Sequence, residues 1–307
     1  MELLNKLVVI LGPTAVGKTK LAVHLAKELN GEIISADSRQ VYRKMDIGTG
    51  KDLADFTIDD QVIQHHLIDI KDPGDEYDVF EFQQDFLAAY DTLIKNDKIP
   101  ILCGGTGMYL QAALQPELML KVPHNKKLRE ELYALNQLEL NDMLKKMKSN
   151  VHNQTDLNDR ERTIRAIEIE KYKQVSQKEL NPIKQYVIFG IQIDRSILRH
   201  QIKLRLDSRL NEGMIDEVAQ LIADGISIEK LTYYGLEYKF IALYLNKEIS
   251  YTQMYDDLLQ AIRRFAKKQM TWYRRMEKMG YVINWIEAEI PLEKKLNIIK
   301  QKLNEKL

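Results

Sequence analysis

Residues 12–19 read Gly12-Pro13-Thr14-Ala15-Val16-Gly17-Lys18-Thr19, a complete G-x-x-x-x-G-K-[ST] phosphate loop. An apolar run, Leu7-Val8-Val9-Ile10-Leu11, leads into it, and a helical pattern from Lys20 to Leu29 leads out. That strand–loop–helix context separates a phosphate loop from an ordinary glycine turn. Successive backbone N–H groups of such a loop face inward around an anion, and the positive end of the helix dipole adds to the field. Lys18 supplies a mobile cation and Thr19 a hydroxyl for Mg²⁺, so the eight residues are expected to hold a di- or triphosphate.

Outward from the loop, strands and helices alternate. Glu32–Ser35 and His66–Ile70 read as strands, Val79–Lys95 as an amphipathic helix, and Ile99–Cys103 as a buried strand. That strand runs into Gly104-Gly105-Thr106-Gly107, with a helix from about Met108. Alternation of this kind predicts an α/β fold, a P-loop-type core whose parallel sheet is flanked by helices, with ligands at the carboxyl ends of the strands. Between about Leu118 and Leu180 strand signals vanish. Charged helical periodicity replaces them over Asn125–Leu135, Leu138–Lys148 and Arg160–Lys173, bracketed by Pro116, Pro123 and Pro182. The expected organisation is therefore a core of residues 1–117 and 183–307 with an all-helical insertion at 118–182.

The sheet resumes at Tyr186–Asp194, followed by long helices broken near Gly213, Gly225 and Gly235. Ser250 and Gln253 have capping-box spacing for a helix running to about Lys278. A late strand, Tyr281–Trp285, and a terminal helix, Leu292–Leu307, complete the chain.

The 307 residues carry 45 Lys+Arg against 45 Asp+Glu, so a polyanionic partner would have to meet a local cluster. A single cysteine, Cys103, excludes an internal disulfide framework and suits a reducing compartment. No leader pattern or membrane-length apolar stretch is read, and a cytoplasmic monomer is expected.

A second constellation, Ser35-Ala36-Asp37-Ser38-Arg39-Gln40-Val41-Tyr42, follows the next strand, placing Asp37 and Ser38 beside the phosphate site. A carboxylate there can take a proton from an incoming nucleophile; it can equally cap a turn, and spacing leaves both open. An NTPase usually has an aspartate after a buried strand for Mg²⁺. Here the best-placed strand ends in glycines and Thr106, with Asp69 and Asp194 as the other strand-end carboxylates.

Taken together, Gly-Pro-Thr-Ala-x-Gly-Lys-Thr, Ile-Ser-Ala-Asp-Ser-x-Gln-Val-Tyr, Met-Asp-Ile-Gly-Thr-Gly-Lys, His-His-Leu-Ile-Asp and Gly-Gly-Thr-Gly-x-Tyr resemble the motif order of the tRNA dimethylallyltransferases. The likeness continues through Asn158–Glu168, Arg205-x-Asp207-x-Arg209-Leu210 and Lys267-Lys268-Gln269-x-Thr271-Trp272, nearly the whole chain. The resemblance implies transfer of an isopentenyl group from dimethylallyl diphosphate to the exocyclic amine of the adenosine just 3′ of the anticodon. It implies that Asp37 accepts the amine proton, and that Lys18, Thr19, Thr106, Arg205 and Mg²⁺ stabilise the departing diphosphate. It also implies tRNA contacts at Asp37, Ser38, Arg39, Gln40, Thr106 and Arg129, and at Glu161, Arg162, Thr163, Ile164 and Arg165 of the insertion. Without the resemblance, Arg205 would read as a surface helix arginine. The chain departs from the pattern at Tyr233–Phe240, where a tighter Gly-Tyr-Lys-Glu element is expected, and has no C-terminal cysteine–histidine finger, which fits the bacterial form.

From Ala261 to Met276 there are six basic residues and no acidic one. Arg264, Lys268 and Arg275 share a helical face with Thr271, opposite a mostly apolar face of Ile262, Phe265, Gln269, Trp272 and Met276. A one-signed stripe in a neutral protein is a footprint for a phosphate backbone, here the tRNA anticodon stem-loop. His65-His66 reads as structural, because adjacent strand residues face opposite ways. Gly48-Thr49-Gly50-Lys51 lacks a leading strand and reads as a substrate neighbour. Three rival readings fit the sequence, the first two being prenyl transfer to a free adenine nucleotide and an ATP-dependent small-molecule kinase. A nucleotide-gated RNA-binding protein without turnover is the third.

Overall fold

The structure, a computed structural model, describes residues 6–115, 122–147, 155–173, 183 and 185–305. β1 (Lys6–Leu11) is buried at every position, which is why it reads as an unbroken apolar run instead of an alternating one. α1 (Lys18–Leu29) starts inside the motif, two residues before the apolar period suggests, because Gly17 takes a left-handed φ of 79° and caps it. β2 (Gly31–Ser35) follows, then a 3-10 turn at Leu53–Phe56 and a small antiparallel hairpin, β3 (Thr57–Ile58) and β4 (Gln61–Val62).

The strand expected over His66–Ile70 shrinks to β5 (His65–His66). Leu67 and Asp69 adopt φ values of 63° and 55°, which break the extended pleat, and Asp69 turns its carboxylate to the buried Lys51 ammonium at 2.5 Å. α2 (Val79–Lys95) has the expected bounds because a complete capping box sets its start: Asp78 accepts the Glu81 N–H while Glu81 accepts the Asp78 N–H. β6 (Ile99–Gly104) and α3 (Gly107–Leu114) close this half of the chain.

Gln115–Pro182 forms its own compact unit, and Met1–Leu114 with Ile183–Leu307 forms the other. In the inserted unit, α4 (Lys126–Tyr133), α5 (Gln137–Met147), the single turn α6 (Thr155–Asn158) and α7 (Arg160–Lys173) are described. Pro116, Pro182 and the ends of several expected elements lie outside the described residues. The unit's core is Leu128, Leu132, Leu140, Leu144, Ile164 and Ile167. Thr163 and Ile164, expected at a tRNA surface, are 0% exposed: the face of α7 that carries Ile164 and Ile167 is the one that closes this core.

The same unit buries a charge cluster. The Glu168 side chain, 1% exposed, takes a bidentate pair of bonds from Arg129, both at 3.1 Å, one from Arg165 at 2.7 Å and the Asn125 N–H at 2.8 Å. Burial alone would push this carboxyl up; the two guanidinium groups and the N–H reverse that and hold it at about 2, against an ordinary 4.5. A depressed carboxylate contributes stability that is complete above pH 4.5 and is lost as pH falls toward 2. Glu168→Gln should lower the stability of this unit by about 2–3 kcal/mol, the range for losing charged hydrogen bonds that leave partners behind. Circular dichroism on heating should show an earlier transition, and an unshifted one would mean that the cluster is neutral in energy.

The rest of the core comprises β7 (Gln185–Gln192), α8 (Arg195–Asn211), α9 (Met214–Ala223), α10 (Ile228–Tyr234), α11 (Leu236–Leu245), α12 (Tyr251–Lys278), β8 (Ile283–Glu287) and α13 (Leu292–Asn304). Ser250 caps α12 by accepting the Gln253 N–H at 3.2 Å. The six strands of the main sheet lie in the order β5-β2-β6-β1-β7-β8, and every neighbouring pair is parallel. The expected α/β core, a parallel sheet flanked by helices, is observed. β2, β6 and β1 are neighbours, so their carboxyl ends deliver Asp37, Thr106 and the phosphate loop to one edge of the sheet. No helix among the described residues is long and apolar enough to cross a membrane.

Candidate active site

A cavity of about 470 Å³ opens at that edge, and Thr14, Lys18, Thr19, Asp37, Ser38, Arg39, Gln40, Thr106, Arg205 and Lys268 all line it. Ala15 and Gly17 take φ values of 65° and 79°, curling the backbone into an anion-sized nest. Lys18 Nζ rests on the Pro13 carbonyl at 2.7 Å. Burial is the largest influence on this ammonium and, with Arg205 nearby, draws its pKa down to about 8 against smaller opposing effects of Cys103 and Asp37.

Asp37 and Thr106 are brought together by backbone bonds that continue the β2–β6 ladder. Ala36 N–H donates to the Cys103 carbonyl, and Thr106 N–H to the Ala36 carbonyl. Gly104 permits this approach, because a side chain there would collide with the Ala36 backbone. Thr106 Oγ1 accepts the Ser38 N–H at 3.2 Å, and Asp37 Oδ1 accepts the Arg39 N–H at 2.9 Å. Arg39 donates to the Tyr233 carbonyl at 2.5 Å, and Gln40 bridges Ser35 and the Gly50 carbonyl.

Arg205 lies between the cavity and Asp52, to which it donates at 3.2 Å. One turn on, Arg209 is 9% exposed, and its Nη2 is buried with no hydrogen-bond partner among the described residues. Burial and the Arg205 charge lower its pKa to about 10. Burial also pushes the neighbouring Glu237 carboxyl up, which weakens it as a counter-ion to this cation pair and leaves Asp52 as the other acid beside it. Arg209 belongs to the cavity lining, with Nη2 against Gly50, and a buried guanidinium N–H left uncommitted is a group that calls for an acceptor. Arg209 was not foreseen as a site residue; its spacing of four from Arg205 was the available signal.

Gly48, Thr49 and Gly50 line the cavity, whereas Lys51 is buried behind them, bonded to Tyr42 O at 2.8 Å and to Asp46 at 2.6 Å. The backbone leading into this loop is itself an anion nest. The N–H groups of Asp46, Ile47 and Gly48 all point at one anion, the Glu217 carboxylate, at 2.8, 2.8 and 3.0 Å. Tyr238 donates to the same carboxylate at 2.7 Å. Asp69 and Asp194, the alternative strand-end acids, are committed elsewhere, Asp69 to Lys51 and Asp194 to the Ser196 N–H that starts α8. His66 pairs with Glu32 at 2.8 Å and His65 packs on Phe56.

Along α12, Arg264, Lys267, Lys268, Thr271, Arg274 and Arg275 are exposed, while Ala266, Gln269, Tyr273 and Met276 are buried. Phe265, expected on the inner face, is 43% exposed and instead joins Ile262 and Trp272 in the cavity wall. In the inserted unit, Arg162 is exposed beside Asp159, while Glu161 accepts from Tyr133 at 2.9 Å. Arg129 and Arg165 are both spent on Glu168.

Residues 40–276 match the family model described as IPP transferase, and residues 5–58 match one described as isopentenyl transferase. The chain belongs to the IPP transferase family. Among its relatives, tRNA dimethylallyltransferase 2 of Bacteroides fragilis is 49% identical, covering 97% of this chain and 98% of that protein. tRNA dimethylallyltransferase 1 of Parabacteroides distasonis is 50% identical, covering 98% and 99%. The crystal structure of the full-length tRNA isopentenylpyrophosphate transferase from Bacillus halodurans superposes with a TM-score of 0.70 at 35% identity, covering 98% of both chains. Within this IPP transferase, the phosphate loop, the Asp37, Gly48–Gly50 and Gly104–Gly107 motifs and the Arg205 and Lys268 segments of the sequence resemblance contribute residues to the cavity, whereas His65–Asp69 and Asn158–Glu168 do not line it.

Proposed function

We infer that the chain transfers a dimethylallyl group from dimethylallyl diphosphate to the exocyclic amine of the adenosine on the 3′ side of the tRNA anticodon, releasing diphosphate. The observation that carries this reading is one cavity holding a phosphate loop, a carboxylate beside Thr106, and the unpartnered Arg209 next to Arg205. The family and the names of the similar proteins supply the substrates.

In this reading the loop of Gly12 to Thr19 cradles the diphosphate, and Lys18, Arg205 and Arg209 neutralise charge as the carbon–oxygen bond breaks. The adenosine amine attacks the allylic carbon, a carbon–nitrogen bond forms, and Asp37 receives the amine proton. The base must leave its stack to reach that carboxylate. Ile262, Phe265 and Trp272 give the cavity the apolar wall that a five-carbon group requires. Among the described residues no cluster of three His, Cys, Asp or Glu side chains offers a metal cage. Thr19 and the substrate's own oxygens are the fitting ligands for Mg²⁺, which is normally held by few protein groups plus phosphates. Mg²⁺ bound there would supply further positive charge to the leaving group.

For tRNA, we assign contacts around the reacting base to Ser38, Arg39, Gln40 and Thr106, and phosphate contacts to Arg264, Lys268, Arg275 and Arg162. Glu161, Arg129 and Arg165 take supporting parts, since each already has a partner within the inserted unit. Incubation of unmodified tRNA with dimethylallyl diphosphate or with ATP, followed by mass spectrometry of the nucleosides, tests the reading. Prenylated adenosine only with the allylic donor is the expected result; phosphoryl transfer from ATP to a small alcohol would replace it with a kinase.

The basic face predicts the salt dependence. Replacing Arg264, Lys268 and Arg275 together by Gln should flatten the log–log slope of tRNA affinity against salt by about two to three units, at roughly 0.7–0.9 per phosphate contact. Pyrophosphate affinity should be little changed in Arg264→Gln with Arg275→Gln, since neither residue lines the cavity. An unaltered slope would make this face merely solvated.

A further inference from the structure

The inner face of α12 reaches the anion site as well. Gln269 and Tyr273, one turn apart, are 6% and 0% exposed, yet both direct their polar atoms at loop backbone instead of packing only. Gln269 accepts the Thr14 N–H through Oε1 at 2.9 Å and donates through Nε2 to the Gly105 carbonyl at 3.0 Å. The Tyr273 hydroxyl lies 2.9 Å from the Gly12 carbonyl and 3.2 Å from the Gly105 carbonyl.

The placement of these bonds is informative. The β1–β6 ladder ends at Leu11 opposite Gly104. Gly12 and Gly105 are the next residues on each chain, where strand pairing no longer fixes their separation. The two α12 side chains take over at that point. Gly12 and Thr14 flank Pro13, whose carbonyl holds Lys18 Nζ, and Gly105 immediately precedes Thr106. One end of the cross-link thus lies in the loop that cradles the diphosphate, and the other is one residue from Thr106, which meets the reacting base in the reading above.

We propose that Gln269 and Tyr273 are positioning residues for diphosphate departure: they staple the phosphate loop and the Gly105–Thr106 turn to one helix and so set the spacing between Lys18 and Thr106. The inference rests on the diphosphate reading of the cavity. Neither residue touches the reacting atoms, so their effect is on geometry, where a displacement of about 1 Å can cost about a hundredfold in rate.

The test compares wild type, Tyr273→Phe and Gln269→Leu in the full-length protein. Binding of inorganic pyrophosphate with Mg²⁺ by calorimetry, steady-state kcat, KM for tRNA and thermal melting are measured together. Each variant should lose about tenfold in pyrophosphate affinity and about tenfold or more in kcat, with KM for tRNA unchanged. The two losses should not multiply in the double variant, because both act on the same pair of loops. Lowered melting temperature with wild-type pyrophosphate affinity and kcat would overturn the proposal and leave a packing role. If either variant does not fold, the other carries the same comparison. Failure of wild type itself to bind pyrophosphate removes the diphosphate reading and the staple with it, whereas binding that both variants match removes the staple alone.

Discussion

Asp37→Asn should leave the fold and tRNA affinity intact and lower kcat by about two to four orders of magnitude, the usual contribution of a positioned general base. The substitution is close to isosteric, and Asn retains an oxygen that can accept the Arg39 N–H now bonded to Asp37 at 2.9 Å. The adjoining loop should therefore keep its shape. What disappears is the capacity to receive a proton. Single-turnover measurements with saturating tRNA and dimethylallyl diphosphate isolate that step. A variant with near-normal turnover would remove Asp37 from the role and leave it as a turn former.

Lys18→Ala should cost about two to three orders of magnitude in kcat, as for removal of a preorganised charge-stabilising donor. The lysine also makes a pH prediction with a definite sign. Burial draws its pKa to about 8, so it is largely charged at neutral pH and loses its proton as pH rises through that value. A bound diphosphate favours the charged form and raises the pKa. Binding is therefore linked to proton uptake, and affinity should be full below pH 8 and decline above it. Pyrophosphate titrations from neutral to alkaline pH, in wild type and Lys18→Ala, separate this effect from titration of the ligand itself. Parallel profiles for the two proteins would show that Lys18 contributes no linked proton.

Much of the fold could be read in advance because local signals and tertiary structure agree. Val79–Lys95, Arg160–Lys173 and the end of α12 at Lys278 fall where periodicity and capping residues place them. The phosphate loop and Asp37 were legible for the same reason, each being tied to the end of a strong strand. What was not legible depends on partners distant in sequence. β5 stops early because Asp69 is drawn to Lys51. Arg209 looks like any helix arginine until its uncommitted Nη2 is seen buried against Gly50 beside the cavity. Gln269 sits at an inward position whose function is defined by residues 255 and 164 positions away. Arg162 and Arg165 differ by one turn of helix, yet one is exposed and the other is committed to Glu168, a distinction that only the packing of α4 against α7 creates.

The Glu217 carboxylate, seated among the N–H groups of Asp46, Ile47 and Gly48, gives this wall of the cavity a permanent internal counter-ion. An amide nest of that kind left open would compete with the phosphate loop for the same polyanionic ligands and would order only when one arrived. Filled from behind by the protein's own acid, it is ordered at folding, so none of that conformational entropy is drawn from substrate affinity. It also commits three amides in advance: the N–H groups of Asp46, Ile47 and Gly48 are satisfied within the protein, so this stretch of wall shapes the space beside the phosphate loop without drawing anions from it.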